Sequence, residues 1–117
     1  MHELSIALSI LEAARREVAL HKGADLRKIS VRIGELAGVN PESLRFSFEA
    51  ITRDTPCESV ELELDCIART NLCMDCDAQF EVKDADFICP KCGGANTSFV
   101  RGDELEIASL ELEELEA

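Results

Sequence analysis

Two closely spaced pairs of cysteines constrain this chain more than any other feature. Cys73 and Cys76 form the first pair, Cys89 and Cys92 form the second, and twelve residues separate the pairs. The two residues inside each pair let both sulfurs turn toward one centre, a spacing typical of zinc sites. Four sulfur ligands favour Zn(II), with iron as the main competitor. Two disulfides or free core thiols are disfavoured, because disulfides between cysteines this close together would be strained and easily reduced.

Length, composition and charge limit the classes of function. The 117 residues suit one domain with the cysteine segment as a small appendage, and a hydrophobic content of 46% supports a core. The net charge of -12 would repel a phosphate backbone, so nucleic-acid binding is disfavoured. The start lacks a signal-peptide pattern, and no apolar run is long enough to cross a bilayer. We therefore expect a soluble, cytoplasmic protein without membrane contact, and cysteines in metal spacing fit a reducing compartment.

Hydrophobic spacing predicts two helices. The first has an apolar face at three- and four-residue steps and is expected to end at a basic stretch before Gly23. The second begins with Asn40 as its cap and Pro41 as its first residue, and it stops before Pro56. The predicted face of the first helix comprises Leu4, Ala7, Leu8, Leu11, Ala14, Arg15 and Val18.

Alternating apolar and polar residues predict three strands. They cover residues 28–33, residues 60–66 with Cys66 on the buried face, and a returning strand that starts at Leu105. We expect an α+β fold with a small three-stranded sheet, two helices and an inserted four-cysteine, zinc-ribbon-like module. Residues 1–69 and 100–117 would form a discontinuous base domain, and residues 70–99 would form the zinc-binding module.

The first three residues form a second candidate site. Met1 supplies an α-amine, His2 an imidazole and Glu3 a carboxylate. Met1 should be retained in the mature chain because the second residue is bulky. Amine, deprotonated amide and imidazole can form fused chelate rings, an arrangement that suits Ni(II) or Cu(II) better than Zn(II). The ordinary alternative is a polar residue at a frayed terminus, followed by an acid that is favourable at a helix start.

Four stretches of sequence resemble the HypA/HybF family of hydrogenase nickel-incorporation proteins. They are residues 1–5, residues 32–46, the two cysteine pairs and residues 105–111, and together they cover essentially the whole chain. The resemblance implies Ni(II) as a transferred cargo, with His2 as nickel ligand, the Met1 amine assisting, and Glu3 as a ligand or a helper of ligand geometry. It also implies structural Zn(II) held by Cys73, Cys76, Cys89 and Cys92.

The resemblance further implies protein partners. Members of the family pass nickel to the large subunit of [NiFe]-hydrogenase, work with a HypB-type GTPase and, in some lineages, serve urease maturation. They have no catalytic activity of their own. An acidic chain is compatible with a carrier that meets protein partners and binds no nucleic acid.

Three residues fall outside this pattern. Asn40 stands where relatives often carry an acidic residue, and it is explained as a helix cap. Cys57 and Cys66 are not part of the zinc motif; we interpret the first as a turn or strand-start residue and the second as a small apolar residue. From the residues alone the alternatives are a zinc-ribbon protein-interaction or nucleic-acid-binding module, an iron electron carrier of the rubredoxin type, and a thiol oxidoreductase.

Overall fold

The computed structural model describes residues 2–115, which form two helices and six strands. Helix α1 spans His2–Val18 and helix α2 spans Pro41–Thr52. The strands are β1 Ala24–Gly34, β2 Glu61–Ile67, β3 Thr70–Cys73, β4 Gln79–Glu81, β5 Thr97–Arg101 and β6 Leu105–Glu114.

The chain divides into two compact units. The first contains the described residues of Met1–Arg32, Val39–Asp65 and Glu106–Ala117. The second contains Ile33–Gly38 and Cys66–Leu105. Among the described residues, no helix combines the length and apolar character that crossing a bilayer requires.

A three-stranded sheet with the order β2-β1-β6 contains the three predicted strands. Hydrogen bonds link Leu115 N to Gly23 O and Gly34 N to Glu104 O, so β1 and β6 run antiparallel. Strands β1 and β2 are neighbours, and helix α2 connects them along the chain. The predicted α+β architecture of two helices and a small three-stranded sheet is confirmed.

The buried face of helix α1 overlaps the predicted one in Ala7, Leu11 and Ala14 but is rotated toward Ile10. Leu4 and Leu8 were expected in the core but are 49% and 43% exposed. The helix also ends at Val18, before the basic stretch, while Gly23 keeps the left-handed φ of +78° expected of a terminating glycine. The buried residues of the helix are Ala7, Ile10, Leu11 and Ala14.

Helix α2 begins as predicted. The Asn40 side-chain oxygen accepts a hydrogen bond from the Ser43 N–H at 3.0 Å, and Pro41 is the first helical residue. This cap satisfies one of the amide groups that lack an acceptor inside the helix. Leu44 and Phe48 are buried, so this helix contributes the expected apolar face to the core of the first unit.

Strand β2 loses burial toward its end. Leu62 is buried, Leu64 is half-buried and Cys66 is exposed. The prediction that Cys66 lies in the core was therefore wrong. The alternation of side chains along the strand was assigned correctly, but the core that covers this face ends before the strand does.

The second unit holds a small sheet with the order β4-β3-β5, in which both pairs are antiparallel. Strand β3 lies in the centre and ends on Cys73, which pairs with Thr97 of β5. Strands β3 and β4 form a hairpin whose connection contains Cys76. The four-cysteine module is thus built on a sheet of its own, as expected of a zinc-ribbon-like insertion.

Candidate metal centres

The four predicted metal-binding cysteines come together in the second unit. Their sulfur atoms all lie within 4.8 Å of one another. The Cys73 and Cys92 sulfurs are 3.5 Å apart, and the Cys76 and Cys89 sulfurs are 3.7 Å apart. A Zn–S bond of about 2.3 Å places the sulfurs of a tetrahedral site about 3.8 Å from each other. The cluster therefore has the size and donor set of a four-cysteine zinc site.

Two backbone turns of the same design present these sulfurs. In the first, Asp77 N donates to Cys73 O at 2.9 Å and Cys73 N donates to Ala78 O at 2.8 Å. In the second, Gly93 N donates to Cys89 O at 2.8 Å and Cys89 N donates to Gly94 O at 2.9 Å. Each turn folds its two cysteines onto the same side, because the bonds close the backbone around the two intervening residues. The expected role of the two-residue spacing is reproduced twice.

The residue after each second cysteine has a left-handed backbone. Gly93 has a φ of +75°, and Asp77 occupies the equivalent position with a φ of +61°. Asp is one of the few non-glycine residues that visits this region readily. A Cβ atom on Gly94 would lie 2.7 Å from Asp75 Oδ2, so the Asp75 side chain would have to shift to admit it. Aligning the two cysteine pairs in the sequence places Asp77 opposite Gly93, so a left-handed backbone at Asp77 could have been predicted.

The pKa values of two cluster thiols, Cys89 and Cys92, are shifted in opposite directions by the groups around them. The N–H groups of Cys92 and Lys91 donate toward the Cys89 sulfur and lower its pKa to about 7, although the thiol is buried. At Cys92, the Gly94 N–H lies 3.4 Å from the sulfur and favours the thiolate, but the Cys73 and Cys76 sulfurs outweigh it and raise the pKa to about 12. Several thiolates packed this closely need a cation to balance their charge.

The cluster is closed to solvent on one side. Cys73 and Cys89 are buried, Cys76 is half-buried and Cys92 is exposed. A site made of four protein sulfurs has no open coordination position for a substrate, which is the arrangement of a structural rather than a catalytic zinc site. All six cysteines of the chain, including Cys57, are free thiols.

The N-terminal candidate site lies at the start of α1. His2 is the first residue of the helix and Glu3 the second, so both candidate ligands lie in its first turn. His2 is exposed, and its backbone N–H belongs to the first turn, where amides have no intrahelical acceptor. That amide and the imidazole are thus both available to a ligand. Met1, the third predicted contributor, lies outside the described residues.

The Glu3 carboxylate is held by the start of the second helix. Its Oε2 accepts a hydrogen bond from the Asn40 backbone N–H at 3.3 Å, across 37 residues of sequence. This hydrogen bond is the main reason why the pKa of Glu3 lies below the ordinary value of a glutamate. The pair joins the first turn of α1 to the cap of α2. The contact could not be predicted from the sequence, because nearly every residue type carries the same backbone N–H donor.

The sequence of this chain is similar to those of known proteins. Residues 1–112 match the family model for hydrogenase/urease nickel incorporation metallochaperones, HypA. The chain is 39% identical over 114 residues to the hydrogenase maturation factor HypA of Chlorobium limicola, with 97% of this chain and 98% of that protein covered. It is 37% identical to the factor of the same name from Desulfatibacillum aliphaticivorans, with 96% and 87% covered.

Solved structures share the fold. The chain superposes with a TM-score of 0.60 on the solution structure of the nickel metallochaperone HypA from Helicobacter pylori, at 23% identity and with 97% of each chain covered. A second solution structure of a HypA protein gives a TM-score of 0.63 at 24% identity, again with 97% of each chain covered. The match over almost the whole chain and the identities above 30% lead to one assignment: the protein belongs to the HypA family of nickel-incorporation metallochaperones.

Proposed function

We propose that this protein binds Ni(II) at its N-terminus and delivers it to the large subunit of [NiFe]-hydrogenase in the cytoplasm, without catalysing a reaction. The observation that carries the proposal is the position of His2, exposed on the first turn of α1 with an amide free of intrahelical bonding. The Met1 amine, the His2 amide and the His2 imidazole would form fused chelate rings around nickel. The Glu3 carboxylate would complete or orient this set.

The four-cysteine cluster has a different role in the proposal. Cys73, Cys76, Cys89 and Cys92 would hold Zn(II), which would stabilise the turns that carry them. A closed sulfur site suits retention of a metal, whereas an exposed terminus with few protein ligands suits transfer. In this proposal, residues 70–99 form the zinc-binding module. The nickel-binding base domain consists of residues 1–69 and 100–117.

The partners follow from membership of the family. We assign a HypB-type GTPase as the protein that works with this carrier in nickel handling, and the hydrogenase large subunit as the recipient. Relatives that serve urease would use urease maturation proteins in the same place. The net charge of -12 supports protein partners over nucleic acid.

A nickel titration with a matched variant tests the nickel site. Zinc-loaded protein with a native, untagged N-terminus should bind one Ni(II) per chain, and His2→Ala should lose that binding while keeping its zinc. Calorimetry and visible absorption would measure both. Because acetylation converts the terminal amine into an amide, N-terminally acetylated protein should also bind nickel poorly. Equal nickel binding by the parent and His2→Ala would refute the assignment.

The proposed ligands also predict a dependence on pH. The amine, amide and imidazole nitrogens must lose protons before they bind nickel, so nickel affinity should fall as the solution becomes mildly acidic. The same titration repeated at neutral and mildly acidic pH measures the effect. An unchanged affinity would exclude His2 as a principal ligand.

The identity of the cluster metal has a separate test. A zinc-loaded protein is colourless, whereas iron in a four-sulfur site absorbs visible light. Metal analysis of protein as purified should give one zinc per chain, and Cys89→Ser should lower this content. A red protein that contains iron would instead support the electron-carrier alternative.

A further inference from the structure

An apolar groove lies beside the proposed nickel ligands in the first unit. It has a volume of about 490 Å³, and its described lining consists of Glu3, Leu4, Glu42, Ser43, Phe46 and Ser47. Phe46 is 71% exposed and Leu4 is 49% exposed, although both are large apolar side chains. Leu8 follows Leu4 by one helical turn on the same side of α1 and is 43% exposed. Leu4 and Phe46 line the groove together, whereas Leu8 lies outside its lining.

The charges around this groove specify what it can bind. Glu3 and Glu42 contribute two carboxylates, and the described lining contains no Lys or Arg. Phe46 and Leu4 offer an apolar contact, and the serines offer hydroxyl groups at the edge. A complementary protein surface would therefore present an apolar side chain flanked by Lys or Arg. Charge complementarity disfavours a second copy of this chain, because each copy would bring the same carboxylates and a net charge of -12.

The groove is also close to the nickel ligands along the helix. Leu4 is two residues from His2, which is about 3 Å along a helix axis, and Glu3 belongs to both the groove and the proposed nickel site. A metal that passes directly between proteins needs donor and acceptor ligands in contact. A partner seated on Leu4 and Phe46 would meet this requirement.

We propose that the groove formed by Leu4, Phe46 and the neighbouring carboxylates is the docking site for the nickel-exchanging protein partner, which inserts an apolar side chain flanked by basic residues. This inference rests on the proposed function, because it assigns the partner surface of the same N-terminal site. Phe46 is the expected centre of the contact, since buried aromatic side chains dominate protein interfaces.

Binding measurements with purified partners test the docking site. The probes are the HypB-type GTPase and the precursor of the hydrogenase large subunit, each titrated with the parent chain, Phe46→Ser, Leu4→Ser and Leu20→Ser. Leu20 is the matched control, because it is 75% exposed on the same unit and does not line the groove. Nickel stoichiometry and thermal unfolding are measured for every chain.

Phe46→Ser should weaken binding of at least one probe by about tenfold or more, while Leu20→Ser binds like the parent. Glu42→Gln should reduce the salt dependence of the dissociation constant. Because Phe46 is largely exposed, its replacement should leave folding and nickel stoichiometry unchanged.

Several results would overturn the docking site. They are equal affinities of Phe46→Ser, Leu4→Ser and the parent, an absence of binding to both probes, and self-association of the parent that Phe46→Ser abolishes. A parent chain that binds both partners through Phe46 but takes up no nickel would instead refute the nickel site and leave the docking surface standing. Failure of each proposal is therefore visible separately.

Discussion

A left-handed residue closes each of the two cysteine turns, and this position connects backbone conformation to metal binding. Gly93 adopts its φ of +75° without steric cost, whereas a residue with a Cβ atom pays about 1–2 kcal/mol there. No heavy atom lies within 4 Å of the place where a Cβ on Gly93 would be, so the cost is purely conformational. Because metal binding and folding of such turns are coupled, this cost should reduce the affinity for zinc.

Gly93→Ala should therefore weaken zinc binding about 5- to 30-fold, as 1–2 kcal/mol implies. Competition with a chromophoric chelator would measure the change. Gly23→Ala is the matched control, since Gly23 has a φ of +78° and equal space around it, but belongs to the first unit. It should lower the stability of that unit and leave zinc affinity unchanged. Equal zinc affinities for Gly93→Ala and the parent would contradict a left-handed requirement in the second turn.

The two helices show what local sequence can and cannot specify. Helix α2 carries its start signal in adjacent residues, Asn40 and Pro41, and its boundary and cap were predicted correctly. Helix α1 has apolar residues around most of its circumference, so its spacing fits more than one buried face. Ala7, Leu11 and Ala14 were predicted correctly. Extending their face to Leu4 and Leu8 or to Ile10 satisfies the same periodicity, and only packing selects Ile10.

The contrast between local sequence signals and contacts made in space also applies to the two candidate metal sites. The clustering of the four cysteines was predicted because their spacing is short and the chemistry of thiols is specific. The environment of Glu3 depends on Asn40, 37 residues away, whose backbone N–H donates to the carboxylate. Contacts of this kind follow from the meeting of two elements in space, and local patterns do not contain them.

The cap of α2 leads to a prediction at this scale. Asn40→Ala removes the acceptor of the Ser43 N–H and should lower the free energy of unfolding by about 1 kcal/mol. Asn40→Asp keeps an equally good cap and should retain the parent stability. Thermal unfolding followed by circular dichroism would compare the three chains. Both substitutions keep the backbone N–H that binds Glu3. A large loss of stability for Asn40→Asp would therefore show that the neutral side-chain amide of Asn40, and not only its cap oxygen, is needed.

The two units differ in what holds them together. The first unit has an extended aliphatic core to which both helices and the larger sheet contribute, with residues such as Ile29, Leu44 and Phe48 almost fully buried. The second unit has a much smaller core. Its buried residues are Ile33, Gly34, Thr70, Asn71, Cys73, Val82, Cys89 and Gly102. Two of these eight are cysteines of the cluster, so a metal bound there would take the place of part of a hydrophobic interior.

Removal of the cluster metal should therefore unfold the second unit selectively. Treatment with a strong chelator should abolish hydrogen-exchange protection in β3, β4 and β5, because four thiols within 4.8 Å no longer share a cation. Protection in α1 and α2 should persist, since their burial does not involve the cysteines. Cys57→Ser is the control, because Cys57 is a thiol of the first unit outside the cluster, and it should respond to the chelator as the parent does. Simultaneous loss of protection in the helices would show that the two units fold as one cooperative structure, and that the cluster metal also stabilises the N-terminal end of the chain.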